Sequence, residues 1–170
     1  MNILVLEIAA HRRAAERKGM DAAVRLNGTS DIVWERKKFI LYPEVADFLG
    51  KTIDRNAQTI NRVFPSVQFY DYTKIPNRSP GDNYDLTFSL SEQNMNDTMS
   101  EFRSGRNIAA VFFNQVPATF LGLTVIDGDE HDYRPADPRG VVVGLKAKGV
   151  PAKNDRSGFV TSSVELAVAA

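Results

Sequence analysis

Val67-Gln-Phe-Tyr-Asp-Tyr-Thr-Lys74 and Tyr84-Asp-Leu-Thr-Phe-Ser-Leu-Ser-Glu92 are two short runs rich in Val, Phe, Tyr, Leu and Thr. The segment between them, Ile75-Pro-Asn-Arg-Ser-Pro-Gly-Asp-Asn83, is dense in turn formers. Runs of this composition on either side of such a loop read as two strands. Both end in polar residues: Asp71, Thr73 and Lys74 on the first, Ser89, Ser91 and Glu92 on the second. Ligands gather at the carboxyl ends of parallel strands, so a site is expected there.

Upstream, Ala22 to Leu26 is a short apolar run ending in the turn sequence Asn27-Gly-Thr-Ser-Asp31. Downstream, Asn107-Ile-Ala-Ala-Val-Phe-Phe113 is nearly continuous in apolar residues, the pattern of a strand covered on both faces in a parallel sheet. Strands are expected near 22–26, 67–72, 85–89, 107–113 and 141–146. Three helices alternate with them. Residues 2–18 run from apolar to cationic, with Asn2 placed to cap and Gly19 just past the end, a strand over Asn2 to Leu6 before a shorter helix being the alternative. Residues 44–62 carry apolar positions at threes and fours, with Gly50 as a weak point. Residues 94–104 place Met95, Met99 and Phe102 on one side. The core is expected to include Ile8, Val24, Ile53, Ile60, Phe69, Leu86, Phe88, Met99, Ile108, Val111, Val125 and Val143.

After Pro117 the texture changes to short strands punctuated by Asp, Gly and Pro. Thr124 to Asp129 and Val141 to Lys146 flank a turn-rich segment, read as a C-terminal β-hairpin-like excursion. A surface loop follows Gly149, and Phe159 to Ser163 is expected to add an edge strand. The fold class is α/β, either an incomplete (β/α) barrel or an open, mostly parallel sheet, with a single domain over residues 1–163 and a frayed tail at 164–170. Open edges of such a sheet suggest a homo-oligomer or a missing partner segment.

Composition narrows the function. The 170 residues include no cysteine, which excludes disulfides, thiolate zinc sites, a cysteine nucleophile and a cysteine-held iron–sulfur cluster within this chain. Lys plus Arg and Asp plus Glu are both 21, so no net field draws the molecule to nucleic acid or an anionic membrane. No apolar run is long enough to span a bilayer, and a cytoplasmic location is expected. No phosphate-binding P-loop, dinucleotide fingerprint, serine-nucleophile elbow or His-Glu-x-x-His motif occurs.

Arg25-Leu-Asn-Gly-Thr-Ser-Asp31, Phe69-Tyr-Asp-Tyr-Thr-Lys74, Leu86-Thr-Phe-Ser89, Val125-Ile-Asp-Gly-Asp129 and Val143-Gly-Leu-Lys-Ala-Lys-Gly149 together resemble a family of bacteriophage-encoded proteins of unknown function. The likeness runs from about residue 3 to residue 160. That family looks distantly similar to radical-SAM-like partial (β/α) barrels. The resemblance implies a cysteine-rich segment upstream in longer members, and this chain has none of those cysteines. A shortened gene product or an internal start at Met1 would explain the difference, and cluster chemistry is not expected here.

Three groups are candidates for function. The strand-end ring comprises Arg25, Asn27, Gly28, Thr29, Ser30, Asp31, Asp71, Tyr72, Lys74, Thr87 and Ser89. Brought to one mouth, Arg25 and Lys74 would hold an anion, Asp31 or Asp71 would move a proton, and Tyr72 would stack. Turn chemistry and structural ion pairs are the plainer account of the same residues. The second group, Asp127-Gly-Asp129-Glu-His-Asp132, is either a hairpin turn or a hard-cation site, the turn being favoured. The third, Lys146 and Lys148, places two cations on one face of a strand, either for phosphates or as a solvated edge. The function expected is binding of a small phosphate-bearing or nucleotide-like anion without iron–sulfur chemistry, with no cofactor assigned and catalysis open. The alternative is a non-catalytic interaction protein acting on a host or phage partner.

Overall fold

The computed structural model describes residues 1–51 and 56–161, whose contacts gather into two units. The first is built from Met1–Asp71 and Arg78–Asp85, the second from Tyr72–Asn77 and the chain from Leu86 onward. Among the described residues, no helix is long and apolar enough to cross a membrane.

In the first unit, α1 (Asn2–Glu16) buries Val5, Ile8, Ala9 and Ala15, a stripe spaced by threes, fours and their sums. Gly19 takes φ +66°, and the Met20 N–H closes onto Ala15 O at 3.0 Å, so glycine ends the helix where the sequence places it. Its start differs from expectation. Met1 holds the cap position, and the Asn2 amide instead donates to Ile40 O at 3.3 Å and accepts from the Tyr42 N–H at 3.0 Å. Strand β1 (Ala23–Arg25) then pairs in parallel with β2 (Gln68–Thr73), Ala23 opposite Gln68 and Arg25 opposite Tyr70.

Among the described residues of the long helix expected at 44–62 there are two short ones, α2 (Pro43–Phe48) and α3 (Ile60–Val63). Gly50, at φ +62°, ends the first, with the Lys51 N–H returning to Ala46 O at 2.9 Å. Gln58 exchanges both backbone hydrogen bonds with Phe39 in an isolated antiparallel bridge, so extended chain precedes α3. Apolar spacing alone cannot see that long-range pairing. Ile53 lies outside the described residues.

Strand β3 (Tyr84–Ser89) pairs in parallel with β4 (Ile108–Phe112) through Phe88 and Ser89, which belong to the second unit. Helix α4 (Met95–Arg103) intervenes, and its inward face is rotated from the one expected. Thr98 and Glu101 are buried, Met99 and Phe102 are half-buried, and Met95 is exposed. The Glu101 carboxylate is held by Arg106 and by the Asn77 N–H, which lets a charged residue occupy an interior position.

Strands β5 (Thr119–Phe120) and β6 (Leu123–Asp127) form an antiparallel hairpin. Its turn residues Leu121 and Gly122 both have positive φ, the left-handed pair that tight hairpins require. The hairpin therefore lies within 119–127. The two segments read as flanking it, β6 and β7 (Val142–Lys146), pair in parallel. β7 also runs along all five residues of β4. Past α5 (Gly149–Lys153), β8 (Val160–Thr161) joins β4 beyond the point where the β3 pairing ends. Asp155 fixes that approach by accepting from the Val160 N–H at 3.0 Å and the Ser157 hydroxyl at 2.7 Å. Backbone donation from Val160 and the Ser157 hydroxyl pull its carboxyl down to about 2. Phe88, Ile108, Phe112, Phe120 and Val142 form the local core, with the Phe112 and Phe120 rings edge to face at 5.1 Å.

The sheet has eight strands in the order β1-β2-β3-β4-β7-β6-β5, with β8 off this path on β4, and does not close into a barrel. Of the expected core, Val24, Met99, Val111 and Val125 are half-buried, and the other described members are buried.

Candidate functional site

Alternation along β2 turns Phe69, Asp71 and Thr73 inward, so a carboxylate shares a face with core side chains. Asp71 is fully buried. A buried carboxylate is tolerated only when its oxygens are hydrogen-bonded, and this one accepts three bonds. The Asn27 N–H donates to it at 2.7 Å, the Asn27 amide at 3.1 Å, and the Tyr84 hydroxyl through a short contact. Burial still prevails and pushes the Asp71 carboxyl above the ordinary range, against the opposing pull of Tyr84, the Asn27 N–H, Arg25 and Arg78. Burial, with the neighbouring Asp71, drives the Tyr84 hydroxyl far upward, so it stays protonated and donates.

Asn27 organises the loop that follows β1. Its amide nitrogen also donates to Ile32 O at 3.1 Å. Its oxygen accepts from Ser30 Oγ at 3.0 Å, the Ile32 N–H at 3.1 Å and Trp34 Nε1 at 2.9 Å. A second clamp comes from Arg78, whose side chain is almost wholly buried. Its Nε and Nη2 grip the two Glu35 oxygens at 2.9 and 2.7 Å, and Nη1 meets Asp31 Oδ1 at 3.0 Å. Burial works against the Glu35 carboxylate, but the bidentate guanidinium outweighs it and holds that carboxyl below its ordinary value.

Of the residues expected at strand ends, Asn27, Ser30 and Asp71 thus meet in one network, and Asp31 joins the Arg78 clamp beside it. Arg25 is exposed and donates from Nε to Asn27 O at 3.3 Å. Gly28, Thr29 and Ser30 are exposed on the loop. Tyr72, Lys74, Thr87 and Ser89 belong to the second unit. There Lys74 lies over the Phe159 ring at 4.6 Å, Thr87 is buried, and Ser89 pairs in register with Ala109. Sequence reading missed Tyr84, Arg78 and Glu35 as members of this cluster.

The family model described as Gene product 88 matches residues 1–163. The chain belongs to the Gene product 88 family. No curated protein and no solved structure matches it. The radical-SAM-like part of the sequence resemblance gains no support from these comparisons.

The acidic turn of this Gene product 88 chain is occupied by lysines. Lys148 Nζ reaches Asp129 Oδ1 at 2.8 Å, Lys146 Nζ reaches Asp127 Oδ2 at 3.7 Å, and the Lys146 N–H donates to Asp129 Oδ2 at 3.0 Å. Partial burial opposes the Asp129 carboxylate, but Lys148 and the Lys146 N–H hold it below its ordinary value. Among the described residues no three His, Asp or Glu side chains are grouped to hold a metal ion. A polar cleft of about 700 Å³ in the first unit is lined by Glu35, Lys38, Asn61, Arg62 and the turn from Ser79 to Asn83. Asn83 stiffens its wall, its amide lying 3.0 to 3.2 Å from the carbonyls of Asn61, Phe64 and Val67.

Proposed function

We propose that this protein binds a small phosphate-bearing or nucleotide-like molecule at the loop following β1, without iron–sulfur chemistry. The observation that carries the reading is the buried Asn27, Asp71 and Tyr84 cluster beneath the exposed Gly28, Thr29 and Ser30. Burying a carboxylate is costly, and here it fixes the path of a surface loop at the carboxyl end of a parallel strand pair. Open α/β sheets bind ligands at that end, and a site needs a supporting shell that holds it still. In this reading Arg25 supplies the cation, Gly28 admits close backbone approach, and the Thr29 and Ser30 hydroxyls orient the ligand. Asp31 and Asp71 position the loop rather than move protons, because their oxygens already accept from Arg78, Asn27 and Tyr84.

Thermal melting with a panel of nucleoside phosphates, S-adenosylmethionine and magnesium tests the proposal. A ligand present at about a hundredfold its Kd stabilises by about 2.7 kcal/mol. For a chain of this size that raises Tm by roughly 5–10 °C. Arg25→Ala should abolish the rise measured against that variant's own unliganded Tm, since it also removes the Arg25 Nε hydrogen bond to Asn27 O. A panel without any shift sinks this reading and favours the alternative, a non-catalytic protein acting on a host or phage partner.

A further inference from the structure

The segment Arg36-Lys-Lys-Phe-Ile-Leu-Tyr42 places three cations directly before an alternating apolar run. Phe39 and Leu41 face inward, half-buried and buried, whereas Lys38, Ile40 and Tyr42 face out. Spacing of two puts those three on one side of an extended chain. Ile40 is 53% and Tyr42 63% exposed, and beside them on α1 Ile3 is 75% exposed. Together with Met1, Phe39 and Ala57 they line a groove of about 640 Å³. Lys38 and Ala57 line both this groove and the polar cleft, so the two concavities adjoin.

Two features show how a partner would be held there. The backbone is already used: Phe39 exchanges both its hydrogen bonds with Gln58, and Asn2 takes Ile40 O and the Tyr42 N–H. Recognition by strand addition needs a free backbone edge, so contact here is through side chains. Arg36, Lys37 and Lys38 are exposed, and no ion pair engages them among the described residues. Among the described residues the groove lining contains no acid. A second copy meeting this surface across a two-fold axis sets the lining against itself, and the described lining has no carboxylate to offer Lys38.

We propose that this groove docks an acidic amphipathic segment of a partner protein, with apolar side chains on Ile3, Ile40 and Tyr42 and a carboxylate on Lys38. A concave floor receives side chains from such a segment, which a planar bilayer does not supply. The surface is separate from the loop after β1, and the inference stands whether or not that loop binds a ligand.

The test is selection from a random peptide display library on the wild-type chain, counter-selected with Ile40→Asp and with Lys38→Glu. These positions are exposed, and circular dichroism checks that the variants fold, with Tyr42→Ala as a milder second probe. The expected result is enrichment of peptides that combine spaced apolar residues with Asp or Glu. Their affinity should fall about tenfold or more in each variant, ~1.4 kcal/mol, and weaken as salt rises. No enrichment, or enriched peptides that lack carboxylates or bind the variants equally, overturns the proposal. So does sedimentation showing a dimer that Ile40→Asp disrupts, or flotation with phosphatidylserine vesicles that the lysine variant abolishes, because either assigns the surface to a different occupant.

Discussion

Asp71 is the residue on which the loop after β1 depends, and its protonation gives the arrangement a pH signature. Its folded-state value lies above its unfolded one, so the folded chain holds that proton more tightly. This contribution favours folding in acid below the unfolded value and is lost as pH rises through the folded value. Tyr84 offsets the cost of the ionised form by donating to it. Tyr84→Phe should therefore cost about 1–3 kcal/mol where Asp71 is ionised, the usual penalty for a buried acceptor losing its donor. The deficit should shrink as pH falls through the folded value, where the carboxyl carries its own proton. Urea midpoints of both chains across that range check this, and a deficit that does not change with pH would show that Tyr84 does not serve the carboxylate. Half of this cluster was legible in sequence. Asn27, Ser30 and Asp31 announce turn chemistry, and Asp71 stands at a strand end. Tyr84 and Arg78 were not legible, because each reaches the loop only through the tertiary fold, from positions that read as a strand start and a turn.

Strands were easier to place than helices, for a physical reason. Apolar runs such as Ile108 to Phe112 and Val142 to Lys146 carry their signal in consecutive residues, and they form β4 and β7 close to where the sequence puts them. The 44–62 stretch has helical spacing, but the bridge between Phe39 and Gln58 and the left-handed Gly50 interrupt it. Neither competing interaction is local to the pattern. The rotated face of α4 has a similar origin, since Glu101 goes inward only because Arg106 and the Asn77 N–H await it. The β6 and β7 pair makes a further demand on sequence. A Cβ at Gly144 would collide with a Val116 methyl and lie 2.8 Å from Val125 Cγ1 and 3.3 Å from Ile126 O. Gly144→Ala should thus cost about 1–3 kcal/mol as the strands are forced apart. At Gly28 nothing lies within 4 Å of the same added atom. Gly28→Ala should stay within about 0.5 kcal/mol of wild type, so any ligand shift it loses reports on the proposed site rather than on folding. Chemical denaturation of the two variants side by side tests the contrast, and equal losses would mean that neither contact is as described.

For the whole molecule, composition limits what the chain can hold. Iron–sulfur clusters are held by cysteine thiolates, with histidine replacing some of them in a few centres. This chain has no cysteine and two histidines. His11 Nε2 lies 3.1 Å from Ala23 O in the first unit, and His131 belongs to the second, where its Nδ1 lies 3.1 Å from Arg134 and its Nε2 3.8 Å from Asp137. Each imidazole is already engaged by its own surroundings, so a cluster ligand set within one chain is not expected. Anaerobic incubation with iron and sulfide, followed by desalting, should leave the protein colourless and its Tm unchanged. The nucleotide panel is then expected to give binding without redox turnover. A stoichiometric visible charge-transfer band that survives desalting would defeat this expectation, and its dependence on protein concentration would separate ligands shared between copies from an unforeseen set within one chain.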